Sequence, residues 1–381
     1  MGLKMVKIAQ RVVVSLSVGL FLFATAAIAQ SLDGIAAKSV FVMDNDVNQN
    51  QILVFQRFPD GTLHEGGKFR TGGRGSGGTT DPLESQGSLT LSQDGNYLLA
   101  VNAASGDISA FAVFGFTLTL LDRANSGGAE PNAIAQFGDL VYVVNASGTS
   151  NVVGFRFDHG RLRQIPNSTR LLSTGSTGAS SLAFSPNGKF LVVTERTTNN
   201  LDVFDVQPDG TLSKTVVTPS VGPGVFAVTF APNGVALVSE TGAAGVPNGS
   251  AVSSYALEAD SVLTPITASL PTLGSANCWN AITPNGRFLY VSNSASATIS
   301  GFAVGGNGAL TPIGSTVAAS NPTGATNLDI AVSRDGKFLY TMNTGNGTVG
   351  IFRIQNDGTL TSGGAATGID AASGFNGIAA N

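Results

Sequence analysis

The sequence predicts an all-β fold, a seven-bladed β-propeller of four-stranded blades, from three observations. These are a repeat with a period near 50 residues, Gly-containing turns at fixed places within it, and a composition poor in charge. The repeat appears in two series. The first is an apolar run: "VFVMDN" (40–45), "YLLAVN" (97–102), "LVYVVN" (140–145), "FLVVTE" (190–195), "VALVSE" (235–240), "FLYVSN" (288–293) and "FLYTMN" (338–343). The second carries an aromatic at Phe55, Phe111, Phe155, Phe204, Tyr255, Phe302 and Phe352, at spacings between 44 and 56 residues. Short strands recurring at this period without a helical pattern read as propeller blades. Charged residues make up 12% of the 381-residue chain and Gly contributes 49 positions, about half and about twice their usual shares. Such a composition suits tight turns better than long surface helices, which favour Glu, Lys and Arg.

Within each unit four strands can be assigned, a to d from the inside out. Strand a is short and rich in small residues, as in "SLAFS" (181–185). A two-residue turn follows it at Asp94-Gly95, Asn187-Gly188, Asn233-Gly234, Asn285-Gly286 and Asp335-Gly336; these pairs tolerate the positive φ that tight hairpins need. The two series above are strands b and c. A second set of turns, at Asp60-Gly61, His159-Gly160, Asp209-Gly210, Asn307-Gly308 and Asp357-Gly358, leads into strand d.

Seven copies of strands b and c exist, but no strand a precedes Val40. The C-terminal "GFNGIAAN" (374–381) supplies it, with Ile378 matched to Phe184, Ile282 and Val332 and Asn381 matched to the first turn residue. The chain end is therefore expected to become the inner strand of the first blade, closing the ring and removing two unpaired edges.

Residues 1–29 read as a cleaved signal peptide: Lys4, Lys7 and Arg11, an apolar stretch from Val12 to Ala24, then Ala27-Ile28-Ala29. A short linker (30–37) and one propeller domain (38–381) follow, in a protein expected to be periplasmic or secreted, monomeric, and without a membrane span after cleavage. Loss of the leader takes net charge from −4 to −7, which argues against a nucleic-acid partner. With one cysteine, Cys278, the fold rests on its core rather than on disulfides.

The segments "SPNGKFLVV", "TPNGRFLYVSN" and "SRDGKFLYTMN", together with the "DGTL" turns, resemble the seven-bladed propeller lactonase family, with its 6-phosphogluconolactonase-like and carboxymuconate-cyclase-like members and related Y-V-x-N repeats. The resemblance covers about 38–381 and implies a site at the mouth of the central channel. The topology puts that mouth, the top, beside the b–c and d–a loops. A lactone or sugar-acid-like ligand is implied and no cofactor is required; a divalent cation held by carboxylate and Asn oxygens is compatible with the residue set.

The strand-b ends supply Asn45, Asn102, Asn145, Glu195, Glu240, Asn293 and Asn343. Asn at a strand end also serves simply to satisfy backbone groups. The two glutamates break that pattern: carboxylates on neighbouring blades can share a proton, hold a cation or activate water. Arg196 could bind a substrate carboxylate or stabilise an oxyanion. The expected catalytic set is Glu195, Arg196 and Glu240, against the plainer reading that these are solvated rim charges. Expected substrate-binding residues are Asn132, Asn145, Asn277, Trp279, Asn280, Asn293, Asp329 and Asn343, with Asn376 and Glu130 also near the top. Trp279 could stack on a flat ligand or pack between blades. Cys278 lacks a His-Asp partner and reads as a small buried residue. The loops "RTGGRGSGGTTDPLESQG" (70–87) and "TGAAGVPNGS" (241–250) are the longest top insertions, the first a lid or a plain crossing.

The enzyme members of the family are similar in placing histidine and arginine at the mouth. Here both histidines, His64 and His159, fall at c–d turns on the bottom, which removes the usual general base and any His-based metal set. Two functions therefore stand side by side: a lactone hydrolase or cyclase outside the cytoplasm, and a non-catalytic propeller that binds a ligand or protein in the cell envelope.

Overall fold

The computed structural model describes residues 38–381; the expected signal peptide (1–29) and linker (30–37) lie outside the described residues. Residues 38–381 form one compact unit of seven antiparallel sheets, each built on a four-strand a–b–c–d path. The core is the set of seams between blades. Val40, Val42, Leu53 and Phe55 of blade 1 meet Tyr340, Met342, Ile351 and Phe352 of blade 7 in one cluster. Phe41, Met43, Ile52 and Val54, on the opposite face of the same strands, meet Leu98, Val101 and Phe111 of blade 2 in another. Alternate side chains of one strand thus enter two different cores, which explains why strands b read as continuous apolar runs.

The ring closes as expected. Ile378–Ala380 pairs with Lys38–Met43 to complete blade 1. Its register differs from the ungapped sequence match by two residues. Val40 faces Phe55 in blade 1 as Leu191 faces Phe204 in blade 4. Ala380 pairs with Val40 and Phe184 pairs with Leu191, so Ala380, not Ile378, holds the Phe184 place. A two-residue slip keeps every side chain on its own face, so apolar pattern alone could not distinguish the two registers. A related correction applies to Asn45. Asp44, whose N–H donates to the Gln51 carbonyl at 3.0 Å, sits at the repeat position of the other strand-b ends. Asn45 follows with φ 52°.

In five blades strand a carries a bulge near its top, between Pro131 and Ala133, Ala179 and Ser181, Val225 and Val228, Asn277 and Trp279, and Leu328 and Ile330. The residues left out of the ladder include Asn132, Ser180, Phe226, Cys278 and Asp329. Bulges bend a strand and re-aim its side chains, and here they set these residues around the channel mouth. Among the described residues no helix is long and apolar enough to cross a membrane.

Candidate active site at the channel mouth

Strand-b ends are inter-blade knots. Asn102 is fully buried. Its Nδ2 donates to Asp107 Oδ1 at 2.6 Å and Ser109 Oγ at 2.8 Å. Its Oδ1 accepts from Thr71 Oγ1 at 2.6 Å and Asn50 Nδ2 at 3.0 Å, both in blade 1. Asn145 bonds Asn151 and the Ser126 carbonyl and Asn343 bonds Asn321 and Thr348 in the same manner, while Asn293 bonds Thr298 and Ser300 of its own blade. Asn277 donates to the Ala251 carbonyl at 2.6 Å. A glycine in the preceding crossing loop lies against several of these side chains; a Cβ on Gly73, Gly128, Gly222 or Gly274 would collide with Asn102, Asn145, Glu240 or Asn293 respectively. The expected ligand-binding residues Asn145, Asn277, Asn293 and Asn343 are all buried in such knots.

Glu195 and Glu240 belong to the same series, which corrects the expected catalytic set. Both are fully buried. Glu240 accepts from Ser253 Oγ at 2.5 Å and Ser269 Oγ at 2.6 Å, and burial raises its pKa. Glu195 accepts from Thr198 Oγ1 at 2.5 Å, from the Ser173 hydroxyl, and from the Ser173 N–H at 2.8 Å. That N–H is shared with Asp202 Oδ2 at 2.9 Å. Burial, then the adjoining Glu195, holds Asp202 well above the usual carboxylate range. The two glutamates therefore sit in separate seams, and neither meets Arg196.

Arg196 instead pairs with Glu84, in the longest top loop. That loop lies across the mouth as a plug. Trp279 Nε1 donates to the Ser85 carbonyl at 2.9 Å. The Gln86 amide exchanges two hydrogen bonds with the Asn280 backbone, at 2.9 and 3.0 Å, as a neighbouring strand would, and the Gln86 N–H donates to the Ser180 carbonyl at 2.8 Å. Ser85 Oγ donates to the Asn132 carbonyl at 2.8 Å. Asn376 joins Ser88 at 3.1 Å and Asp81 at 2.9 Å. Asn132, Trp279, Asn280 and Asn376 thus do gather at the mouth, as holders of the plug. The Trp279 ring also meets Phe226 edge-on at 5.3 Å between centroids.

Among the described residues, the charged groups gathered there are Asp81, Glu84, Asp329 and the Arg196 guanidinium. Burial pushes Asp81 up to about 7, against the Asn376 hydrogen bond that lowers it, with the Glu84 charge adding and Arg196 opposing. Asp329, fixed by the Ile330 and Ile378 N–H groups at 2.8 and 3.0 Å, is also pushed up to about 7, mainly by burial, with the Asp81 charge adding. Burial also raises the Cys278 thiol. A carboxyl that titrates near neutrality can act as acid or base, and an arginine beside it can hold an anion or a developing oxyanion. The carboxylates Asp81 and Glu84 were missed in the sequence because "TTDPLESQG" carries no motif; their being the only acids in the longest top loop was the available signal. Among the described residues no group of three or more His, Cys, Asp or Glu could hold a metal ion. Both histidines lie at the bottom: the His64 ring meets that of Phe58 at a tilt, 4.8 Å between centroids, and His159 contacts Asp158.

Seven closed four-stranded blades define a seven-bladed β-propeller. The model of the family "Lactonase, 7-bladed beta-propeller" matches residues 137–243 and 250–368, more than half of the chain, and the protein belongs to that family. No curated protein matches it in sequence. Among solved structures it is similar to the periplasmic gluconolactonase PpgL of Pseudomonas aeruginosa, at 17% identity and a TM-score of 0.68 over 89% of this chain and 99% of that one. A candidate 6-phosphogluconolactonase of Bacteroides uniformis aligns at 20% identity, TM-score 0.67, over 91% and 100%. Virginiamycin B lyase of Staphylococcus aureus aligns at 15% identity, TM-score 0.52, over 75% and 86%. At these identities the likeness is one of fold.

Proposed function

We propose that this protein is an exported lactonase that opens a small lactone at the top mouth, with Asp81 as general base and Arg196 as electrophile. The observation that carries the proposal is the meeting of Asp81, raised to about 7, with the Glu84–Arg196 pair at the mouth. The Asp81 carboxylate takes a proton from water as the water oxygen bonds to the lactone carbonyl carbon. Arg196 stabilises the resulting oxyanion; only its Nη2 is engaged among the described residues, which leaves further N–H groups to donate. Collapse breaks the ring C–O bond, and the proton on Asp81 passes to the departing alkoxide. The product is the open hydroxy acid, and Asp81 is restored. Family membership, and neighbours that include a gluconolactonase, support a sugar-acid lactone as the substrate class; the leader-like segment at 1–29 supports export.

The test is ring opening of a lactone panel that includes glucono-δ-lactone. Wild-type protein is expected to turn over at least one member, with kcat/KM rising through about pH 7 as Asp81 ionises. Asp81→Asn and Arg196→Gln are expected to cost about 100-fold or more. Wild-type turnover no faster than that of Asp81→Asn would end the proposal. A second reading, a non-catalytic ligand- or protein-binding propeller, is favoured by the plug, which fills the mouth with the protein's own side chains. Calorimetric binding of a lactone without turnover would select it.

A further inference from the structure

The two sides of the plug differ in chemistry. Above Gln86 lie Asp81, Glu84, Arg196 and Asp329. Below it, a cavity of about 470 Å³ opens towards the a–b turns of the bottom face. No charged side chain lines it. Its walls come from strands a of blades 2, 3, 4 and 5 and the turns after them, with Phe137, Leu182, Phe184, Phe230 and Pro232 as the main apolar surface, and Gln86 and Gly87 line its end nearest the plug.

The polar groups on this wall are largely spoken for. Thr90 Oγ1 donates to the Ile134 carbonyl at 3.1 Å, and Thr229 Oγ1 donates to Asn280 Oδ1 at 2.6 Å. Gln136 Oε1 accepts from the Gln93 N–H at 2.9 Å, while its Nε2 donates to the Gly138 carbonyl at 2.5 Å. What such a wall presents to an incoming molecule is aromatic and aliphatic area with few free hydrogen-bonding groups. Phe230 and Phe137 are only partly buried there, so the protein itself leaves their rings part-covered. A concave, mostly apolar space of this volume is the size of a small-molecule site, and burying an uncompensated charge in it would be costly.

We infer that this lower cavity is a second ligand site, separate from the top mouth, and that it takes an uncharged, flat, predominantly apolar ring compound bearing one or two polar groups. Stacking against Phe230 and Phe137 supplies the contact area, and the Gln86–Gly87 end sets the depth.

The inference is tested with three probes of one shape on the full protein: 2-naphthalenemethanol, 2-naphthoate and 2-naphthylmethylammonium. Binding is followed by calorimetry and by NMR line broadening. The neutral alcohol is expected to bind, with both charged probes at least about tenfold weaker. Phe230→Glu, at a partly buried position on the cavity wall, is expected to weaken the alcohol about tenfold or more, with circular dichroism confirming that the variant is folded. Gln136→Glu is the second variant and should act in the same direction. Asp81→Asn and Arg196→Gln should leave alcohol binding unchanged. No binding of the alcohol at millimolar concentration would overturn the inference. So would equal binding by both wall variants and wild type, or loss of binding in the Asp81 and Arg196 variants, which would place the probe at the top mouth. None of these readouts depends on lactone turnover, so this site and the proposed activity fail separately.

Discussion

Tyrosine in the strand-b motif has a specific task. The hydroxyls of Tyr142 and Tyr290 donate at 2.7 Å to the carbonyls of Gly210 and Gly358, and that of Tyr340 donates at 3.2 Å to Gly61. Each bond runs from one blade to the c–d turn of the next, and Tyr340 bridges the seam where the ring closes. All three residues are fully buried, so the hydroxyl needs its partner. Replacing Tyr290 by Phe removes the donor and leaves the Gly358 carbonyl without it. A loss of about 1 kcal/mol in urea unfolding is expected, with an unchanged m-value; no loss would show that the bond contributes nothing net. The knots obey the same logic. Six of the seven strand-b ends named in the sequence do sit in them, and the glutamates there were misread because an unusual residue type looked like chemistry. Only the neighbouring blade, with Ser173 beside Glu195 and the Gly222 loop against Glu240, reveals the ordinary structural role.

At the scale of the element, the closing strand and the plug matter most. Ile378–Ala380 adds only three paired residues, but it carries Ile378 and Ala380 into one seam and Ala379 into the next. The same segment holds Asn376, which ties the plug through Asp81 and Ser88. Deleting 374–381 uncovers the inner edge of blade 1 and unties the plug together. The expected outcome is a loss of several kcal/mol, seen as a large fall in melting temperature, with faster hydrogen exchange in 79–88. A truncated protein that melts like the wild type would refute the closing role. This strand was readable because a missing repeat unit at one end and a surplus fragment at the other fit together. Its register was not, because alternation has period two and cannot tell registers two residues apart.

For the whole molecule, the buried acids decide how stability varies with pH. Asp81 and Asp329, raised from 3.8 to about 7, and Asp202, also raised, hold protons in the folded state that the unfolded chain releases. Their contribution is fully present below pH 3.8 and is lost as pH climbs through the folded values. Asp335 works in the opposite sense. Hydrogen bonds from Arg57 at 2.9 Å and Lys38 at 2.6 Å, across the ring seam, depress its pKa far below 3.8. Its contribution is present above 3.8 and is lost as pH falls further. Stability is therefore expected to peak at about pH 4–5 and to decline towards pH 8. Asp202→Asn, which cannot ionise, should gain on the wild type between pH 5 and pH 8.5 in paired denaturant titrations. An Asp202→Asn difference that stays flat over that range would show that Asp202 ionises normally in the fold.

The blade count, the order of strands, the ring closure and the assignment of loops to top and bottom were all determined by the sequence. Each follows from a short-range code, two-residue alternation and turn chemistry, repeated often enough to average out local exceptions. The tertiary structure alone decided which polar residues face a ligand and which tie blades together. Glu195 and Arg196 are adjacent in the chain, yet one is sealed in a seam by Ser173 and the other meets Glu84 at the mouth. Strand ends in a propeller are crossed by the loop from the preceding blade, as Ser173 crosses Glu195, or by the plug reaching over the mouth, as Glu84 meets Arg196, so a side chain's neighbours lie about 20 to more than 100 positions away. The plug shows the same thing. Its anchors on blades 1, 3, 4 and 6 come together only once the ring has formed, because hydrogen bonds of that span depend on closure rather than on any local pattern.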